Sequence, residues 1–243
     1  YWTIFYKNNA KIAGSAIHSI HGGMIKSLHC LFLKNSALNF NSKGGAIYLD
    51  RFLIFLSSYT IYSQNSAVNG GALFLLKCLQ NVTSSVDRYQ NNSATRSGGS
   101  FYVESANIVL LDSSLFQWNQ AYSNGGIYFG IAIKVLVINK CNFLKNIARE
   151  SGGCFYISQS SFLNFVTRDC QFSRNYAYLS GGCTFLKDVE ALHTSNSSFS
   201  RNIARKNGGC ISFINLYTTY IRNTQFRYNF AHTGIALCGK AIK

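Results

Sequence analysis

The 243-residue sequence contains no proline, a single methionine and only eight acidic residues against 23 basic ones. Each shortage excludes something. Proline lacks an N–H, so a chain without it leaves every amide free to pair with a neighbouring strand. Eight scattered carboxylates are few for polysaccharide lyases or hydrolases, which cluster them as acid and base or use them to hold Ca²⁺. No Cys-x-x-Cys occurs among the eight cysteines, which argues against a zinc site. The longest apolar stretch, around Ile131–Ile138, is broken by Lys134 and is too short to cross a bilayer as a helix. No copy of the repeat described next shows a 3.6-residue apolar period over a helix-length window.

What the chain has instead is one short phrase, repeated nine times. It reads aromatic, two residues, Asn, one residue, Ala, and then usually a Gly-Gly pair. The asparagines are Asn8, Asn35, Asn65, Asn92, Asn119, Asn146, Asn175, Asn202 and Asn229, at intervals of 27, 30, 27, 27, 27, 29, 27 and 27 residues. The aromatics three residues earlier are Phe5, Phe32, Tyr62, Tyr89, Phe116, Phe143, Phe172, Phe199 and Phe226, and Ala stands two after every Asn. Self-similarity at such a period marks a stacked repeat architecture. Between phrases lie short runs such as CFYIS and FLNFV, bounded by Gly and Ser, which read as strands. The period suits one coil of a parallel β-helix with three short strands. The expected fold is all-β: a right-handed parallel β-helix of about nine coils, with residues 1–243 forming a single segment.

Each column then has a structural task. The aromatics Phe116, Phe143, Phe172 and Phe199 point inward and stack at the strand spacing of about 4.8 Å. Asn119, Asn146, Asn175 and Asn202 stack amide to amide and bond the turn backbone. Ala sits where the coil bends tightly, and the first Gly of each pair takes a positive φ. The residue after the pair is small in most copies (Ala46, Ala72, Ser100, Cys154, Cys183, Cys210), which marks a cramped inward position.

These motifs resemble the repeats of the chlamydial polymorphic membrane proteins, which carry Phe-x-x-Asn and Gly-Gly-Ala-Ile. The first occurs outright seven times, from Phe5–Asn8 to Phe226–Asn229; the second occurs intact at Gly44–Ile47 and as Gly-Gly-Ala-Leu at Gly70–Leu73. Large surface proteins of protists carry similar repeats, with a Lys, Asn, Ile, Phe and Tyr bias closer to this one. The resemblance implies a β-helix at a cell surface or outside the cell, adhesive or structural and not catalytic.

The 23 basic and eight acidic residues give a net charge of +15. Basic residues recur in phase: Lys145, Arg174 and Arg201 one before the Asn, and Arg149 and Arg205 three after it. Stacked like charges repel unless something anionic lies over them. These five residues are expected either as a solvated face that also resists sideways aggregation or as a ridge for an anionic partner, acidic polysaccharide or acidic protein; no recognised nucleic-acid module accompanies them. No cofactor, metal site or catalytic set is expected. The alternative is a carbohydrate-active β-helix, a lyase or hydrolase binding acidic polysaccharide. Against it, the acidic residues counted from the Asn fall in different phases, and the pair that shares one, Asp50 and Glu190, lies five coils apart. His18, His21 and His29 cluster with no Asp or Glu to orient a catalytic base. The cysteines fall mainly in two slots, one after the Gly pair and one five before the Asn (Cys30, Cys141, Cys170). There they are expected chiefly as buried free thiols, with a disulfide between coils as the other reading. Asn81, Asn91 and Asn196 stand in Asn-x-Ser/Thr triplets, the acceptor pattern for N-glycosylation, which is common by chance in a chain this rich in Asn and Ser. Neither end shows a cap over its strand edges, so both ends are expected to meet further coils of the same polypeptide or other subunits.

Overall fold

The computed structural model describes residues 2–37 and 39–240, without the side chains of Ser161, Phe162 and Lys240. It contains strands and no helix among those residues. One coil shows the plan. Phe101–Asp112 is a long strand, Leu115–Gln117 a short one, and Gln120–Ala121 the third. Each pairs in parallel with its equivalent one coil on: Phe101 with Tyr128, Phe116 with Phe143, Ala121 with Ala148. Three parallel sheets result, named here for the long strands, the aromatics and the alanines.

The columns read from the sequence occupy the interior. All nine aromatics of the phrase stack, with ring centroids 4.5–5.0 Å apart and planes within 12° of parallel. The Asn column is a continuous hydrogen-bonded ladder. Asn146 shows the pattern: its N–H and its Nδ2 both donate to Asn175 Oδ1 at 3.0 Å, its Nδ2 also donates to Phe116 O, and its Oδ1 accepts both bonds from Asn119. Every hydrogen-bonding valence of the side chain is used, which is why a fully buried amide is tolerated.

Three of the four corners in a coil carry a left-handed residue that is not glycine. One is the residue before the Asn, at φ 54–58° in all nine coils; another precedes the aromatic strand, as at Lys140 and Asp169; the third bends the long strand, as at Ser105. At the first two corners a short polar side chain follows and closes the turn: Asn at one, and Cys, Ser, Thr or Asp at the other. Cys141 Sγ donates to Asn139 O just as Ser114 Oγ donates to Asp112 O. The cysteine slot five before the Asn is therefore a turn-closing position. The fourth corner needs glycine. Gly152 has φ 70°, and a Cβ on Gly153 would run into the carbonyl oxygen of Gly182 in the next coil.

The two longer coils absorb their extra residues without disturbing these columns. The coil after Asn35 places its surplus between Ala37 and Gly44, and the coil after Asn146 splits its long strand into Phe155–Ser158 and Ser160–Arg168.

Candidate partner-binding ridge

The left-handed corner before the Asn points its side chain outward. In five successive coils it holds Trp118, Lys145, Arg174, Arg201 and Tyr228. Their amides bond alike: Trp118 N–H to Leu144 O, Lys145 to Ser173 O, Arg174 to Ser200 O and Arg201 to Arg227 O, each at 3.0–3.1 Å. A second outward column, three after the Asn, reads Tyr122, Arg149, Tyr178, Arg205 and His232. Between the two columns lie Ile147, Tyr176 and Ile203, the outward residues of the alanine strands. All five basic residues singled out above are exposed on these two columns.

Aromatic partners, which the spacing of charges alone did not reveal, sit beside four of the five. The Arg149 guanidinium lies 4.0 Å from the Tyr122 ring centroid and that of Arg205 4.6 Å from Tyr178; Lys145 and Arg201 lie about 6 Å over Trp118 and Tyr228. Arg205 Nε also donates to Tyr176 Oη at 2.8 Å. Simple stacking of like charges thus describes only Lys145, Arg174 and Arg201. Arg149 and Arg205 are two coils apart, with Tyr178 between them. Among the described residues the one ion pair is Arg51 with Asp50, at 3.3 Å; none of the five ridge cations meets a carboxylate.

The carboxylates align differently from the count along the sequence. Asp50 does not share a column with Glu190. Leu76 pairs with Asp50 on one side and Glu104 on the other, so Asp50 and Glu104 are the in-line pair, two strands or roughly 10 Å apart. Counting from the Asn failed because nine residues separate Asn35 from Gly44 but six separate Asn146 from Gly152; counting from the Gly pair restores the phase. Asp50 is buried beside Arg51, and a leucine fills the gap to Glu104.

The Gly pair is also the landmark for a second aromatic ladder, on the outer side of the long-strand sheet. Tyr48, Phe74, Tyr102, Phe129, Tyr156 and Phe185 stack at 4.5–5.6 Å, four residues after the first Gly of each pair. They are buried or half-buried.

All eight cysteines are free thiols and seven are buried. Burial pushes the Cys78 and Cys170 thiols up to about 11 and raises Cys183 and Cys210 further, so none of these four is a ready nucleophile. His29 stacks on Tyr59 and His18 leans on Tyr48. The sequon residues Asn81, Asn91 and Asn196 are exposed.

No curated protein and no solved structure matches the chain significantly. Residues 29–50, which supply the strand of Phe32, the ladder residue Asn35 and the Gly-Gly-Ala-Ile corner, match the family model of the Chlamydia polymorphic membrane protein (Chlamydia_PMP) repeat. The coils stacked on either side reuse the same columns, so the chain is a parallel β-helix whose repeats resemble those of the polymorphic membrane proteins.

Proposed function

We propose that this chain is a non-catalytic β-helix scaffold, structural or adhesive, of a cell surface or large extracellular assembly. Its basic ridge is the face that holds an anionic partner. The observation that carries the reading is the isolation of the ridge cations: five exposed Lys and Arg side chains on two adjacent columns, with no carboxylate within ion-pair distance among the described residues. A face meant only to stay soluble has no need to hold its guanidinium groups against aromatic rings. The match of residues 29–50 to a membrane-protein repeat supports placement at a surface.

Binding of the chain to acidic and to neutral polysaccharides at low and high salt tests the reading. Exposed charges are screened within about 8 Å at physiological ionic strength, so binding should favour the acidic polymers and weaken as salt rises. Equal binding to both, indifferent to salt, would remove the ridge from the function.

A further inference from the structure

The second column of the ridge has a period that the coil does not. Tyr122, Arg149, Tyr178 and Arg205 alternate in four successive coils, and each arginine lies over the ring of the tyrosine one coil earlier, at 4.0 and 4.6 Å. The unit along this column is a Tyr–Arg pair spanning two coils, roughly 10 Å at the strand spacing. With each guanidinium over a tyrosine ring, and Arg205 Nε already donating to Tyr176 Oη, the outer Nη edge is the part left to meet a ligand. That edge is the planar fork that fits a carboxylate or sulfate bidentately. Stacking also fixes the side chain beforehand, so less rotamer freedom is lost when a ligand arrives.

On the reading of the ridge as an anion-binding face, we infer that its ligand is a linear acidic polysaccharide lying along the solenoid axis, with one anionic group per disaccharide. A disaccharide of an extended β-linked chain is about as long as two coils. Successive carboxylates of such a polymer then meet Arg149 and Arg205, and the neutral sugar between them passes over Tyr178. The neighbouring column of Lys145, Arg174 and Arg201 runs parallel and adds positive potential without a two-coil period. A globular acidic protein has no reason to match this spacing, and a polymer charged at every sugar places half its anions opposite tyrosine.

Three variants of the full chain separate this register from simple attraction. Tyr178→Arg adds a cation where the alternation has a tyrosine, at an exposed position whose column already holds arginine in two coils. Arg149→Lys and Arg205→Lys keep the charge and remove the fork. The probes are hyaluronan, with one carboxylate per disaccharide; polygalacturonate, with one per sugar; and polyglutamate. The wild-type chain should prefer hyaluronan. Tyr178→Arg should weaken hyaluronan binding by about tenfold while strengthening polygalacturonate binding, and each Lys variant should lose about tenfold on hyaluronan. If Tyr178→Arg strengthens binding to both polysaccharides, or the Lys variants bind as well as wild type, the register is wrong although the ridge still binds anions. Preference for polyglutamate would make the partner an acidic protein and overturn the inference. Failure of wild type to bind any of the three at low salt would overturn the anion-binding reading itself.

Discussion

Asn146 and Asn175 are 29 residues apart, yet they make the same two 3.0 Å hydrogen bonds that coils of 27 residues make, from the Asn146 N–H and Nδ2 to Asn175 Oδ1. The ladder is therefore a fixed reference, and insertions are pushed into the corners and the long strand. Asn175→Ala should be severe. It leaves the buried Asn146 N–H and one N–H of the Asn146 side-chain amide without their shared acceptor, at about 1–3 kcal/mol each. A loss of about 3–5 kcal/mol is expected from the shift of the urea midpoint. Asn175→Asp should also destabilise, because the donor to Phe143 O and to Asn202 Oδ1 is gone.

The two aromatic ladders should differ in strength. Phe172 is fully buried between Phe143 and Phe199, both at 4.5 Å. Phe172→Ala should cost about 3–5 kcal/mol through the cavity it opens. Phe129, in the outer ladder, is only half-buried, so Phe129→Ala has less burial to lose and solvent can fill the gap. A loss in Phe129→Ala equal to that in Phe172→Ala would show that the outer ladder is covered in solution.

The inner ladder was legible because its residues stand at a constant distance from the Asn. The outer ladder was not, because Tyr48 to Phe185 keep their distance from the Gly pair and the coil after Asn35 inserts residues between the two landmarks. The same insertion hid the alignment of Asp50 with Glu104. The left-handed corners escaped for another reason. Their side chains point to solvent, so Lys34, Gln64, Asn91, Trp118 and Arg174 all serve, and nothing in residue type marks the backbone. The charge of the ridge was readable; its tyrosines were not, because their meaning lies in contacts with arginines in the next coil.

Val86 occupies one of these corners at φ 55°, where equivalent positions hold Ser113, Asn196 and Asn223. A β-branched residue is strained there, whereas asparagine adopts this region readily. Val86 is also 41% exposed, so little packing is lost on changing it. Val86→Asn should stabilise the chain by about 1 kcal/mol, seen as a higher melting temperature. An unchanged or lower value would mean that neighbouring coils already relieve the strain.

Three buried tyrosines should respond in opposite directions. Tyr62 Oη lies 3.0 Å from Ser57 Oγ, and Tyr89 Oη lies 2.9 Å from Ser84 Oγ, whereas the Tyr128 hydroxyl is buried without a partner among the described residues. Tyr62→Phe and Tyr89→Phe should destabilise by about 1 kcal/mol each, while Tyr128→Phe should be neutral or stabilising by a similar amount. Denaturant midpoints of the three variants decide it, and destabilisation by Tyr128→Phe would refute the assignment.

Asp87 brings a charge into the same interior and makes stability depend on pH. It is almost fully buried, with Oδ1 accepting from Thr60 N–H at 2.8 Å and Oδ2 from Ser84 Oγ at 2.7 Å. Burial raises its carboxyl from the ordinary 3.8 to about 6, and its hydrogen bonds to Thr60, Ser84 and Tyr89 limit the rise. Tyr62 and Tyr89, the titratable groups nearest it, are themselves pushed far above neutrality and stay uncharged. A carboxyl that binds its proton more tightly folded than unfolded contributes its full stability below the unfolded value, and loses it as pH rises through the folded value. Stability should therefore fall between about pH 4 and pH 6, by on the order of 3 kcal/mol, since each tenfold difference in proton affinity between the folded and unfolded chain is worth about 1.4 kcal/mol. Asp87→Asn keeps an acceptor for Thr60 N–H and removes the titration, so its stability profile should be flat across that window. A wild-type profile that rises from pH 4 to pH 6, or a variant profile that still falls, would show that Asp87 is not the group responsible.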